Sequence, residues 1–407
     1  MKAYERLIKY ASFPTGSFEE NPDCPSNPDE FILARHLENE LRELGCVNTQ
    51  VDEHGYVYGF LPANDGGARK KKIGFIAHMD TVSEVEFRGC RPRVEKDYSG
   101  GDIVLNADKG IVMKRSEFPV LEKYIGQDLV VTDGTTVLGA DDKAGVAEIV
   151  TMLERFKNDP TLPHGDIAVG FTPDEEIGRG ADLFNVPLFA CDGAYTVDGG
   201  TFGQIEYENF NAVNATVYFY GKAVHPGDAK AGGMINASRL ALEFDALLPE
   251  NERCEYTSGY EGFYHLIGIK GTTEEAESKY ILRDHDAGKI EIKKQTLARA
   301  ADYLNARYGE GRVKVDAKDV YRNMAEYVKK AFWLVENAKA AIEAAGGSPD
   351  VSPIRGGTDG ARLSYEGLPC PNLGTGSQNH HGRFEFAGVQ DMEKCVDTLI
   401  NICRLTD

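Results

Sequence analysis

The string Leu138-Gly139-Ala140-Asp141-Asp142-Lys143-Ala144-Gly145 places two adjacent carboxylates on a turn that opens a helix, since Val146, Ile149, Val150 and Leu153 recur at the spacing of one helical face. A carboxylate has two oxygens and can bridge two cations, so Asp141 suits the shared ligand of a two-metal site. Complementary groups follow short apolar runs elsewhere: His78 and Asp80 after Ile73 to Ala77, Glu175 and Glu176 after Ile167 to Thr172, and Asp198 after Ala194 to Val197. His381 lies in Asn379-His380-His381-Gly382. Zinc accepts imidazole nitrogen and carboxylate oxygen, and a catalytic zinc keeps one coordination place for water. The candidates form two nearly symmetrical sets, His78 with Asp198 and Glu176 with His381, and Asp141 between them. Two zinc ions so held would activate a water as hydroxide and polarise a carbonyl. Glu175 stands beside a ligand without being needed as one, which makes it the natural general base for passing a proton to a leaving amine. Asp80, two residues beyond His78 in an extended segment, can orient the imidazole through its other N–H.

Taken singly, each of these groups also fits a helix cap or a solvated turn. Their recurrence at the ends of several apolar runs is what points to a site, because ligands gather beyond the carboxyl ends of strands in a mostly parallel sheet covered by helices. His36, His54, His164, His265 and His285 are read as satisfied packing histidines.

The elements that must position these groups are legible as periodic stretches. Helices are expected over 4–10 and 30–44, strands over 57–61 and 73–77, and strand-like pieces at 129–131 and 137–138 leading to Asp141. Residues 83–126 read as an irregular polar excursion without assignable chemistry. From about Asn209 the order becomes strand, glycine-rich loop with His225, helix, two strands, helix, strand. That βαββαβ order matches a ferredoxin-like α+β arrangement inserted as a second domain. A long helix over 325–345 and a final helix bearing Met392, Cys395, Val396 and Leu399 return the chain to the first domain. The expected fold is therefore α/β: a catalytic domain from 1–208 and 323–407 interrupted by a lid domain at 209–322.

A chain of 407 residues has the length for two such units. Its formal net charge of −20 argues against nucleic acid or an anionic membrane as partner. No window is apolar enough to span a bilayer, and the amino end reads as an amphipathic helix rather than an export signal. The eight scattered cysteines, with no CxxC pair, are expected to be reduced core residues, which makes the cytoplasm the expected compartment.

The strings HMDTV, GADDKAG, TPDEEIGRGA, TVDGG, GKAVHPGDAK, YILRDHD, IRGGTDGARLS and NHHGRFEF together resemble the co-catalytic zinc peptidase and aminoacylase family, and within it the tripeptide aminopeptidases, over essentially the whole chain. The resemblance implies His78, Asp141, Glu176, Asp198 and His381 as ligands of two zinc ions, Glu175 as base, and a cis bond between Asp141 and Asp142. It favours His381 over His380, because the family ligand directly precedes the glycine of its motif. It makes His225 an oxyanion contact brought in by domain closure and Arg283 the receiver of a substrate carboxylate, with Arg355 or Arg362 as assistants or as surface ion pairs. It further implies a tripeptide substrate losing its amino-terminal residue, and leaves a homodimer open. Neighbouring readings are a dipeptidase, a carboxypeptidase, an N-acyl-amino-acid deacylase, or a non-catalytic metal-dependent peptide-binding protein.

Overall fold

Ile73–His78 and Ile167–Thr172 are buried along their whole length, as strands must be when both faces of their sheet are covered. The computed structural model describes residues 1–407. The chain divides into a first unit, Met1–Tyr207 with Met324–Ser352 and Thr358–Asp407, and a second unit, Glu208–Asn323 with Pro353–Gly357.

The first unit is built on an eight-stranded sheet in the order Val47–Val51, Val57–Leu61, Ile167–Thr172, Ile73–His78, Gly193–Gly199, Asn372–Gly374, Gln204–Glu206, Asp350–Val351. Its centre is parallel: Ile73–His78 pairs in parallel with Ile167–Thr172 and with Gly193–Gly199, which in turn pairs in parallel with Asn372–Gly374. Val57–Leu61 and Gln204–Glu206 join antiparallel on either side, so the sheet is mixed. The three central strands thus release His78, Glu175, Glu176 and Asp198 at one common edge.

Side chains alternate along a strand, and the two faces can be told apart here. Tyr195 donates its hydroxyl to Leu334 O in helix Trp333–Ala344 and stacks on Phe75. That helix packs with Val389–Leu405, which packs on Ala140–Asn158, which packs on Ala3–Tyr10. The other face holds Ile76, Ala168 and Ala194 against Phe184, Phe189, Leu363 and Leu368. Gly74 is needed on that face, since a Cβ there would stand 2.3 Å from the Phe189 ring.

Several expectations need correction. Residues 83–126 are not irregular: Arg93–Glu95 pairs with Leu129–Val131, which pairs with Phe386–Gly388, and Ile103–Asn106 pairs with Ile111–Met113. Tyr98, Ile103, Leu105, Met113, Leu121 and Tyr124 close a small core together with Leu129, Val131 and Phe386. Strands of three or four residues are too short to show a period. Residues 137–138 form no strand, because Leu138 donates its N–H to the Glu385 carboxylate instead of to a neighbouring strand. The helix expected over 325–345 is broken into Ala325–Val328, the tight turn Lys329–Ala331 and Trp333–Ala344, although no Gly or Pro marks the join.

The second unit is a four-stranded antiparallel sheet in the order Phe263–Gly271, Glu275–Asp284, Asn211–Tyr220, Val313–Tyr321. Helices Ala237–Ala246 and Ala287–Tyr308 supply Leu240, Phe244, Leu297 and Leu304 to its core, giving the βαββαβ order. Asn236 and Asp286 cap these helices by accepting the N–H of Arg239 and Lys289. The Asp286 cap thus starts the second helix at Ala287.

Candidate metal centre

His78 ends its strand with the imidazole buried. Its Nδ1 donates to the backbone oxygen of Asp80 at 3.1 Å, with Asp80 Oδ1 at 3.3 Å. A carbonyl oxygen only accepts, so Nδ1 carries a proton and Nε2 is the nitrogen turned toward the acidic cluster. That Nε2 stands 3.1 Å from Asp141 Oδ1 and 3.3 Å from Asp198 Oδ1. On the other side His381 Nε2 lies 3.1 Å from Asp141 Oδ2 and 3.0 Å from Glu176 Oε2. Asp141 therefore turns one oxygen to each of two imidazoles, and each imidazole has a second carboxylate beside it. The Asp141–Asp142 peptide is cis.

Whether these residues suit a pair of divalent cations can be judged from their charge. Burial drives the Glu175 and Asp198 carboxyls upward, and the neighbouring acids add to it. Burial likewise pushes Glu176 and Asp359 up to about 7. Burial alone would lower the His78 imidazole, but Asp198, Asp141 and Asp80 raise it well above its usual value. Hydrogen bonds donated to the Asp141 and Glu176 carboxylates lift His381 to about 11. Mutually repelling buried acids with this set of nitrogen and oxygen donors fit cations of the zinc type. Atoms of His78, Glu175 and Asp198, and again of His78, Asp141 and Glu176, converge within 4.8 Å.

A family model, "Peptidase family M20/M25/M40", matches residues 138–404. The chain belongs to this peptidase family. Within it, the chain is 50% identical over 404 residues to the peptidase T of Caldanaerobacter subterraneus subsp. tengcongensis, covering 99% of this chain and 98% of the relative. It is 49% identical over 400 residues to the peptidase T of Clostridium novyi, covering 98% of each. Among solved structures, aminopeptidase PepT from Bacillus cereus ATCC 10987 superposes with a TM-score of 0.78 at 21% identity, covering 100% of this chain and 98% of that one. A tripeptidase from Staphylococcus aureus gives the same TM-score at 19% identity and the same coverage. At these identities the structural likeness establishes the fold.

Three groups in this M20/M25/M40 peptidase do more than the sequence reading assigned them. Asp80 does not only face His78: its Oδ1 and Oδ2 accept the N–H groups of Glu175 and Glu176 at 3.0 and 3.1 Å, so one buried carboxylate aligns a histidine and two glutamates. Glu385 was overlooked although it stands in the NHHGRFEF string. It accepts the N–H groups of Leu138, Gly139 and Asp141 at 2.9, 2.7 and 2.8 Å, clamping the loop that carries Asp141 where no sheet supports it. Asp359, also overlooked, is buried and accepts the Thr172 hydroxyl at 3.0 Å. Exchange of Glu385 for Gln should therefore weaken metal binding about 10–100-fold, because an amide NH₂ would face one side of the clamp; metal titration by calorimetry measures this.

Gly145 lets the helix of Asp141 approach the strand of Asp198. A Cβ at that position would lie 1.8 Å from Val197 O. Gly145→Ala should cost about 1–3 kcal/mol of stability and separate Asp141 from Asp198. Thermal unfolding together with metal affinity is the check, and both should fall.

His380 stands slightly farther from Asp141 than its neighbour: its Nε2 bonds the Ser377 hydroxyl at 2.8 Å, and its Nδ1 is 3.4 Å from Asp141 Oδ2. Only His381 reaches both Asp141 and Glu176. Arg362 pairs with Asp182 and donates to Gly178 O. In the second unit, His225 is exposed on its loop, with Nδ1 accepting the Gly227 N–H. Arg283 donates through Nη1 to Val213 O and Leu282 O and lies over the Tyr321 ring. Arg355 is more firmly engaged: Nη1 donates to Gly259 O and Glu261 O, and Nη2 to the Thr257 oxygens. Only its Nε–H remains for another partner, which leaves it poorly suited to a two-pronged grip on a carboxylate. No helix is long and apolar enough to cross a membrane.

Proposed function

We propose that the chain is a metal-dependent aminopeptidase that removes the amino-terminal residue from tripeptides. The observation that carries this reading is the placement of Asp141, with Oδ1 beside His78 and Oδ2 beside His381. High identity to proteins named peptidase T supports it, as does the tripeptidase description of the Staphylococcus aureus neighbour.

In this reading His78 and Asp198 would hold one ion, Glu176 and His381 the other, and Asp141 would be shared between them. When bound, two zinc ions supply Lewis acidity toward the scissile carbonyl and acidify water. Glu175 takes the proton of the attacking water on a carboxylate oxygen and returns it to the departing amine nitrogen. Its backbone bond to Asp80 fixes the turn from which it reaches. Asp80 keeps His78 in the tautomer with Nε2 free, and Glu385 keeps Asp141 in place.

Arg283 is retained as the group for the substrate's terminal carboxylate, since a guanidinium can grip a carboxylate through two bonds. His225 is retained as the oxyanion contact, and its exposed ring is free to change partners. Arg362 and Arg355, engaged as they are, come after Arg283 in this role. A net charge of −20 keeps nucleic acid and anionic membranes outside the reading. We place the protein in the cytoplasm, where reduced cysteines such as these eight persist.

The direct test is hydrolysis of Met-Gly-Gly by metal-stripped protein before and after zinc is added, with the released amino acids identified. Zinc-dependent appearance of free methionine and the dipeptide Gly-Gly is expected. Release of the carboxyl-terminal residue, or preferred cleavage of an acetylated amino acid, would move the reading to a carboxypeptidase or a deacylase.

A further inference from the structure

The second unit carries another grouping of ligand atoms that peptide hydrolysis does not use. The turn Cys254–Tyr256 brings Cys254 and Glu255 together, and the strand Phe263–Gly271 presents His265. A bridge between Arg253 and Tyr264 ties the turn to that strand. Cys254 Sγ lies 3.1 Å from His265 Nδ1 and 3.4 Å from Glu255 Oε2. One atom from each of the three residues falls within 4.8 Å of the others.

The sequence reading counted His265 as a packing histidine and the cysteines as core residues. Cys254 departs from that expectation, being only half-buried. A thiol, an imidazole and a carboxylate meeting at one point is the mixed sulfur, nitrogen and oxygen donor set that zinc accepts, whereas magnesium and calcium prefer oxygen alone. The arrangement is also set in advance by backbone pairing, so little ordering is needed on binding.

We propose that Cys254, Glu255 and His265 form a three-ligand site for a zinc-class divalent ion in the second unit. On binding, the Cys254 S–H bond breaks, the sulfur keeps the electron pair and donates it to the ion, and one proton passes to solvent. His265 donates from unprotonated Nδ1 and Glu255 from a carboxylate oxygen. Three protein ligands leave the fourth tetrahedral position to water.

Cobalt(II) is the probe that separates this site from the one around Asp141, whose donors are nitrogen and oxygen only. Titrated into reduced, metal-stripped full-length protein, cobalt should produce a sulfur-to-cobalt charge-transfer band in the near ultraviolet. Cys254→Ser should abolish the band and His265→Ala should weaken cobalt binding at this site by about tenfold or more, both with wild-type far-ultraviolet circular dichroism. As a second measurement on the unaltered protein, zinc should slow alkylation of Cys254, followed by mass spectrometry, by about tenfold or more. No band in folded wild-type protein, a band that survives Cys254→Ser, or alkylation indifferent to zinc would each overturn the proposal.

Discussion

Exchange of Glu175 for Gln should lower kcat by about 10²–10⁴-fold and leave the bound metal at its wild-type level. Glutamine keeps the length and shape of the side chain but cannot accept a proton. The turn itself should survive, because Asp80 holds it through the backbone N–H of residue 175 rather than through its carboxylate. Burial and the nearby Asp198 push the Glu175 carboxyl well above its ordinary range, so this side chain loses its proton with difficulty unless positive charge is brought close. Its ionisation should accordingly form the acid limb of the pH profile of kcat/KM, activity rising as pH rises through its pKa. Stopped assays across pH on both proteins, with metal content measured by atomic emission, test both parts. Residual activity near the wild-type value would remove Glu175 as the base.

Asp141→Asn should be more damaging to the site as a whole. An asparagine offers one carbonyl oxygen and turns an NH₂ donor toward the opposite imidazole, so one of the two histidine sets loses its shared anion. At least one ion per chain should be lost. Removing a metal's contribution of several kcal/mol should reduce kcat/KM on the order of 10³-fold or more. Metal content after equilibrium dialysis, with circular dichroism to show that the fold persists, is the measurement. Two ions per chain with near-normal turnover would show that Asp141 does not join the two sets.

The convergence of these acids and histidines was legible in the sequence because the pattern that places them is local and repeated. Asp141, His78, Glu176 and Asp198 each follow an apolar run, and the parallel pairing of Ile73–His78 with Ile167–Thr172 and Gly193–Gly199 explains why residues so far apart in the chain meet at one edge. The ferredoxin-like order of the second unit was legible for the same reason, from strands of nine or ten residues.

Glu385 and Asp359 left no such mark. Each accepts from a segment 187 to 247 residues away, and a single acidic residue in a loop carries no sign of which N–H or hydroxyl it will meet. Asp80 was legible as a partner for His78, two positions off, but its bonds to Glu175 and Glu176 cross 95 and 96 residues. The short strands within 83–126 were lost for a different reason: their stability comes from a small shared core with Phe386 rather than from their own pattern.

The Glu385 clamp also sets an order of events during synthesis. Asp141 emerges from the ribosome long before the residue that fastens its loop, and His381 is made only just before Glu385. A nascent or prematurely terminated chain, even one with a complete central sheet, would lack both one candidate ligand and the support for the shared carboxylate. A chain that stops before Glu385 should therefore be inert toward peptides.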